Sequence, residues 1–171
     1  MLSKHAVFAR AYTCFFKNMT LDEFTMVEVA KKAKVVNIGC GSLPHTLIIL
    51  ARAKDWNFVG IDKDDDAVKR AKKMVANYKL SERIDIQLSD GMDFDFSSFD
   101  LVIISHGVEP KIKLLEKLGN EIRNNSIIVY RTIWKGLTKV YGEEPVPKNL
   151  KIVNDYDRID GIRSLLLKRN K

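Results

Sequence analysis

Short apolar runs alternate with amphipathic segments along most of the chain. The runs are bounded by polar or glycine-containing stretches, which is typical of strands, and they lie at 35–38, 58–61, 84–88, 101–104 and 127–130. Apolar residues at helical spacing predict helices after the first, second and fourth of these runs. This alternation predicts an α/β fold with a mostly parallel sheet and right-handed crossovers.

The C-terminal part of the chain follows a different pattern. Residues 150–153 and 163–168 are two further strand-like runs, joined by a polar stretch that contains Asp160-Gly161. Two such runs separated by turn residues favour antiparallel pairing. We therefore expect an antiparallel C-terminal strand pair that closes one edge of the sheet.

Two helices are predicted before the first strand. Residues 5–17 carry a one-sided aromatic stripe at helical spacing. Thr20 followed by Glu23 is a capping box, which predicts the start of a second helix. We expect this N-terminal helical pair (1–34) and the α/β domain (35–171) to form one compact unit.

The composition is that of a packed globular protein. Of the 171 residues, 46% are hydrophobic, and no apolar run approaches the roughly 20 residues that a membrane-spanning helix needs. Lys4 and Arg10 are not followed by an apolar block, so no signal peptide is expected. Cys14 and Cys40 lack the spacing of a metal or redox motif, and the three histidines are scattered. We therefore expect a cytoplasmic protein with no membrane association and no metal site.

The net charge of +7 arises in the last third of the chain. Residues 1–110 contain 15 basic and 15 acidic side chains, whereas residues 111–171 contain 14 basic and 7 acidic ones. An excess of this kind suits nucleic acid or an acidic substrate. Because the charges are scattered rather than clustered, they fit an ordinary solvated surface at least as well.

Glycine or acidic residues stand at the ends of three successive predicted strands. The segment Gly39-Cys40-Gly41 follows the first strand, Asp62 ends the second and Asp90 follows the third. The carboxyl ends of parallel strands meet at one edge, where open sheets bind their ligands. An aspartate about 20 residues beyond a glycine turn is placed to accept hydrogen bonds from ribose hydroxyls. The pattern predicts a nucleotide-like ligand at this edge.

A nicotinamide dinucleotide is one alternative ligand. Its binding motif, G-x-G-x-x-G, has a third glycine where this chain has Pro44, and Asp90 has no standard role in such a site. A second alternative is that the glycines serve only the turn and that the sheet binds no cofactor.

From Val35 onward the chain resembles the class I S-adenosylmethionine-dependent methyltransferases. The segments NIGCGSLP, GIDKDDDAVKRA, LSDGM and FDLVIISHG are similar to those at the first four strands of that family. The resemblance implies a Rossmann-like fold and S-adenosylmethionine as cofactor, with Asp62 at the ribose and Asp90 at the adenine amino group. The cofactor-binding residues that it implies are Gly39, Cys40, Gly41, Asp62, Lys63, Asp90, Gly91 and Ser105.

Two departures set the glycine segment apart from the usual motif. Asn37 replaces an acidic residue two positions before the first glycine, and Leu43 replaces the third glycine. The segment GSLPHT, together with YRTIWKGLTKVYGEEP after the fifth strand, more closely resembles the nicotianamine-synthase branch. That branch transfers the aminocarboxypropyl arm of the cofactor instead of its methyl group. It also carries a sizeable helical domain before the core, where this chain has a short segment.

Candidate catalytic and substrate residues follow the fourth and fifth strands. His106 is either a base or simply the residue that ends the fourth strand. Glu109 and Tyr130 are weaker candidates that would orient a substrate amine. Arg131 pairs either with a substrate carboxylate or phosphate, or with an acidic side chain at the sheet rim. Trp134 forms either a stacking wall or part of the core.

The sequence therefore predicts an S-adenosylmethionine-dependent transferase, with methyl transfer to a small-molecule acceptor as the first expectation. The alternatives are aminocarboxypropyl transfer, methyl transfer to RNA, and cofactor binding without catalysis. Because few residues precede the predicted core, a homodimer or another subunit is a candidate for completing the acceptor site.

Overall fold

The computed structural model describes residues 4–133 and 145–170, and in the first helix it describes side chains from Ala11 onward. Trp134, a candidate substrate residue, lies outside the described residues. Within those residues seven strands form a single sheet: β1 (Lys34–Ile38), β2 (Asn57–Asp62), β3 (Ile84–Leu88), β4 (Leu101–Ile104), β5 (Ile127–Ile133), β6 (Leu150–Asp157) and β7 (Ile162–Arg169).

The strand order confirms the predicted fold class. The order is β3-β2-β1-β4-β5-β7-β6, with the first five strands parallel and with β7 and β6 antiparallel to their neighbours. The glycine-bearing strand β1 lies at the centre, where Ile38 pairs with Ile61 on one side and with Ile104 on the other. The chain reverses its direction of travel along the sheet at β1, and ligands of open sheets bind at such points.

Four α-helices and one 3-10 helix cover the sheet within the described residues. They are α1 (Lys4–Glu23), the 3-10 helix Phe24–Met26, α2 (His45–Ala53), α3 (Asp65–Asn77) and α4 (Lys111–Glu121). The start of α3 has a local cause, because the Asp64 carboxylate accepts hydrogen bonds from the backbone N–H groups of Asp66 and Ala67. By contrast, α2 is held by tertiary packing, since six successive residues from Thr46 to Ala51 are buried.

The sheet separates two apolar cores. Side chains of a strand point alternately to opposite faces, so Val35 packs on one face with α2 and α3 while Val36 packs on the other with α4. On β5 the same alternation places Tyr130 in the α4 core and turns Arg131 towards α1 and α2. These faces decide which predicted residues reach a ligand.

The N-terminal segment differs from the expected pair of helices. A single helix, α1, runs through Thr20 to Glu23 and is followed only by the 3-10 turn and irregular backbone. Thr20 does not act as a cap: it is fully buried, and its hydroxyl has no hydrogen-bond partner among the described residues. Glu23 is also fully buried and bonds distant arginines instead of closing a capping box. The boundary predicted between 1–34 and 35–171 stays a prediction.

Candidate active site

The loop after β1 has a shape that requires glycine. Gly39 and Gly41 have φ angles of +68° and +67°, which side chains of L-residues rarely adopt. A Cβ on Gly39 would also lie 2.5 Å from Cγ2 of Val108. The loop is tied to the neighbouring strand, because the N–H groups of Gly39 and Cys40 both donate to the carbonyl oxygen of Ile61.

The Asp62 side chain joins the end of β2 to this loop. Its Oδ2 accepts a hydrogen bond of 2.8 Å from the N–H of Gly41, and its Oδ1 accepts one of 3.1 Å from the N–H of Asp64. The predicted pairing of a glycine turn with an acidic residue on the next strand is therefore a direct contact.

A cavity of about 250 Å³ lies at the carboxyl edge of β1, β2, β3 and β4, and we call it the first cavity. The Asp90 carboxylate at its margin accepts a bond from the N–H of Met92 through Oδ1. The lining residues come from four strand ends and the loop after β4, and they are Ile38, Gly39, Asp62, Lys63, Ser89, Asp90, Gly91, Ser105, Gly107, Val108 and Glu109. Six of the eight residues predicted to bind the cofactor thus border one cavity.

A second cavity, of about 400 Å³, lies on the other side of the glycine loop. It contains the two remaining predicted residues, Cys40 and Gly41, and it shares Gly39 and Ser105 with the first cavity. The rest of its lining comes from α1, the glycine loop, the start of α2, the loop after β4, β5 and the β6–β7 turn: Tyr12, Phe16, Ser42, Leu43, His45, His106, Arg131, Arg158, Asp160 and Ile162.

A buried charge network forms one wall of the second cavity. Both oxygens of Glu23 accept from Arg131 at 2.8 Å, and its Oε2 also accepts from Arg158 at 2.8 Å. Burial alone would raise the pKa of Glu23, but the two arginines and the hydroxyl of Ser164 hold that pKa below its usual value. Arg158 also pairs with Asp160 at 2.7 Å, so the two cations and two anions balance.

Arg131 therefore pairs with an acidic side chain of the protein, which was one of the two roles predicted for it. Its remaining nitrogen, Nη1, donates to the Oγ1 of Thr46 at 2.9 Å. Thr46 lies in the first turn of α2, directly after the glycine loop. The network thus links α1, β5 and the helix that follows the loop.

Two side chains beside the glycine loop are uncharged at neutral pH. Burial, followed by the nearby Asp62 carboxylate, raises the pKa of the Cys40 thiol to about 12. Burial and the charge of Arg131 lower the pKa of His45 to about 4. The His45 ring packs against Tyr12 and Phe16, with its centroid 5.3 Å from each of theirs.

No single cavity brings the three candidate catalytic residues together. His106 is exposed at the rim of the second cavity, and Glu109 borders the first with its side chain 69% exposed. Tyr130 is only 1% exposed and borders neither cavity, because it faces the α4 core. It lines a third cavity, of about 320 Å³, together with Glu109, and the predicted catalytic role stays a prediction.

Sequence reasoning missed Glu23 and Arg158 as parts of the site. Glu23 and Arg158 are 135 residues apart, and no local pattern reports a contact over that separation. Among the described residues, no group of three or more histidine, cysteine or acidic side chains is arranged to hold a metal ion. None of the described helices has the length and apolar character to cross a membrane.

The strand order, the glycine loop and the acidic residues at the next two strand ends define a Rossmann-like protein with the class I methyltransferase fold. The chain belongs to the nicotianamine synthase family, since the sequence model described as nicotianamine synthase protein matches residues 10–162.

Solved structures with the same fold include members of both groups. Two structures of MtNAS, one a variant in complex with S-adenosylmethionine and one in complex with MTA and tNA, have TM-scores of 0.77 and 17% identity to this chain. Each match covers 92% of this chain. It covers 64% of the chain in the S-adenosylmethionine complex and 62% of the chain in the complex with MTA and tNA. An RNA methyltransferase from Salinibacter ruber in complex with S-adenosyl-L-homocysteine has a TM-score of 0.73 and 17% identity, with 91% of this chain and 93% of that chain covered.

A curated relative shows a more limited match. Carboxy-S-adenosyl-L-methionine synthase of Campylobacter fetus is 23% identical over 107 residues, which is 60% of this chain and 45% of the relative. The chain thus spans about half the length of the curated relatives that it matches.

Proposed function

We propose that the chain is an S-adenosylmethionine-dependent transferase that acts on a small-molecule acceptor. The observation that carries this proposal is that Asp62, bonded to the glycine loop, and Asp90, on the next strand end, border one cavity. Membership in the nicotianamine synthase family supports it.

The residues of the first cavity fit this cofactor. Each Asp62 oxygen accepts one backbone hydrogen bond, which leaves lone pairs for two ribose hydroxyls. The Asp90 carboxylate accepts a hydrogen bond only through Oδ1 in the described part of the chain, so its Oδ2 can accept a bond from the adenine amino group.

The second cavity is the proposed acceptor site. It adjoins the first cavity at Gly39 and Ser105, and its volume of about 400 Å³ suits a small molecule. When bound, the cofactor supplies a sulfonium that activates its neighbouring carbons towards a nucleophile. The chain holds the acceptor in line and excludes water. Cys40 stays protonated at neutral pH, so we do not assign it a nucleophilic role.

The family favours the aminocarboxypropyl arm over the methyl group as the transferred unit. The sequence resemblance to the nicotianamine-synthase branch, which transfers that arm, now stands together with a family match that covers most of the chain. Methyl transfer, the first expectation from the sequence, is the second candidate because the fold is shared with methyltransferases.

Analysis of the coproduct distinguishes these outcomes. The protein is incubated with S-adenosylmethionine and a fractionated cell extract that supplies small-molecule acceptors. Methylthioadenosine as coproduct shows transfer of the aminocarboxypropyl arm, whereas S-adenosylhomocysteine shows methyl transfer. Label that moves from the methyl group into RNA instead supports the RNA alternative.

The binding step is tested separately by calorimetry with S-adenosylmethionine alone. Absence of binding would overturn the proposed function. Binding without either coproduct, in any extract fraction, would leave the chain a cofactor-binding protein without transferase activity.

A further inference from the structure

Asn37 is only 2% exposed and contacts Ser105, a residue that borders both cavities. Its Nδ2 is 3.2 Å from the carbonyl oxygens of Ile38 and Ile103 and 3.0 Å from the Oγ of Ser105. The two carbonyl oxygens can only accept hydrogen bonds, so the amide must present its NH₂ group to all three oxygens. The reverse orientation would place the amide oxygen against two carbonyl oxygens, neither of which can donate.

This orientation determines that the Ser105 hydroxyl accepts a hydrogen bond from Asn37 and does not donate one to it. Because Asn37 donates to Oγ, the hydroxyl proton of Ser105 must point elsewhere. In the described residues, 4–133 and 145–170, that hydroxyl donates to no protein group. The backbone of Ser105 is fixed as well, since its N–H donates to the Ile38 carbonyl oxygen at 3.1 Å.

Ser105 lies where the two cavities meet. It borders both of them, and a Cβ built on Gly39, the other shared residue, would be 3.7 Å from the Ser105 Cβ. A hydrogen-bond donor is therefore held at the position where a ligand of the first cavity reaches the second.

We propose that Asn37 is a positioning residue that makes Ser105 a hydrogen-bond donor to the carboxylate of the methionine arm of S-adenosylmethionine. The inference rests on the proposed function. Three polar groups occur in that arm: the sulfonium and the ammonium are cationic and do not accept hydrogen bonds at neutral pH, whereas the carboxylate does. An acidic residue in place of Asn37 would accept the Ser105 proton and would leave only oxygen lone pairs facing the ligand.

The test compares two ligands that differ only in the carboxylate. Calorimetry measures the affinities of S-adenosylmethionine and of decarboxylated S-adenosylmethionine for the wild type, Asn37→Asp and Ser105→Ala. A hydrogen bond to a charged group predicts that both variants lose about tenfold or more of their affinity for S-adenosylmethionine. Both variants should bind the decarboxylated ligand within about twofold of the wild type, since this ligand does not make the bond.

A double substitution separates positioning from a general structural effect. In the Ser105→Ala background, Asn37→Asp should change the ratio of the two affinities by less than about twofold, because no hydroxyl remains to be oriented. A buried carboxylate at position 37 is costly, so a second variant tests the inference without it. Ser105→Thr keeps the hydroxyl and should retain the wild-type preference for S-adenosylmethionine over the decarboxylated ligand. Ser98→Ala, at an exposed serine before β4, is the matched control.

Each outcome has a defined meaning. Unchanged affinity ratios in Asn37→Asp and Ser105→Ala would overturn the inference and leave the cofactor site intact. An equal loss for both ligands would also overturn it, because it would assign Ser105 to a part of the cofactor that the two ligands share, such as the ammonium group. Failure of the wild type to bind either ligand would overturn the proposed function, and the inference with it.

Discussion

Replacing Glu23 with glutamine tests how much the buried charge network contributes to stability. The substitution keeps the shape of the side chain but removes the negative charge that both arginines share. The exposed fractions of the three side chains are 0% for Glu23, 6% for Arg131 and 2% for Arg158. Arg158 keeps its ion pair with Asp160, but Arg131 is left buried without an acidic partner among the described residues, and water cannot solvate it.

The expected cost follows from this burial. Removing one partner of a buried ion pair typically destabilises a protein by about 3–5 kcal/mol, because an uncompensated charge remains. A domain of this size has a total stability of about 5–15 kcal/mol, so Glu23→Gln should remove a large part of it. Adding Arg131→Gln to Glu23→Gln should recover part of the loss, since it removes the cation that the first substitution leaves uncompensated.

Urea unfolding followed by circular dichroism measures these differences as changes in midpoint at constant slope. Glu28→Gln, at an exposed glutamate five residues further along the chain, is the control and should change stability by less than about 0.5 kcal/mol. A loss of under about 1 kcal/mol in Glu23→Gln would refute the view that the network carries an obligatory buried charge.

The pH dependence gives an independent check on the same network. The folded-state pKa of Glu23 is lowered, so its contribution to stability is fully present above the unfolded value of about 4.3. That contribution is lost as the pH falls through the lower, folded-state pKa. Wild type and Glu23→Gln should therefore differ most at neutral pH and converge in strong acid.

Three further predictions concern the loop. Burial lowers the pKa of His45 to about 4, so the free energy of unfolding of the wild type should fall by up to about 3 kcal/mol as the pH falls from 6.5 to 4. Urea titrations of His45→Gln should lack this pH-dependent loss. The same pH profile in wild type and variant would contradict the lowered pKa of His45. Gly39→Ala should destabilise the fold by at least about 1 kcal/mol, because of its positive φ and the contact with Val108, and equal stability would show that the loop relaxes at little cost. Asp62→Ala should weaken S-adenosylmethionine binding about tenfold or more in calorimetry. Asp65→Ala, at an exposed aspartate, is the control and should leave the affinity unchanged. Equal affinities of the wild type and Asp62→Ala would show that Asp62 does not bind the ribose.

Much of the fold was predictable because its signals are local. The buried strands are short runs with a recognisable period, and the start of α3 is set by a side chain two and three residues from the N–H groups that it bonds. The glycine loop was predictable for the same reason, because a positive φ is a property of one residue. The N-terminal region was the exception: Thr20 and Glu23 match a local capping pattern, but buried partners far along the chain gave a stronger interaction.

The sequence by itself determined the α/β alternation and the alignment of Asp62 and Asp90 with the glycine loop, since strand period and strand-end position suffice to place them at one edge. Only the tertiary structure decided what surrounds that edge. It placed Arg131 against Glu23 and turned Tyr130 into the core, because neighbouring residues of β5 face opposite sides of the sheet. It also brought the Asn37 amide to the Ser105 hydroxyl, because these two residues meet only when β1 and β4 pair.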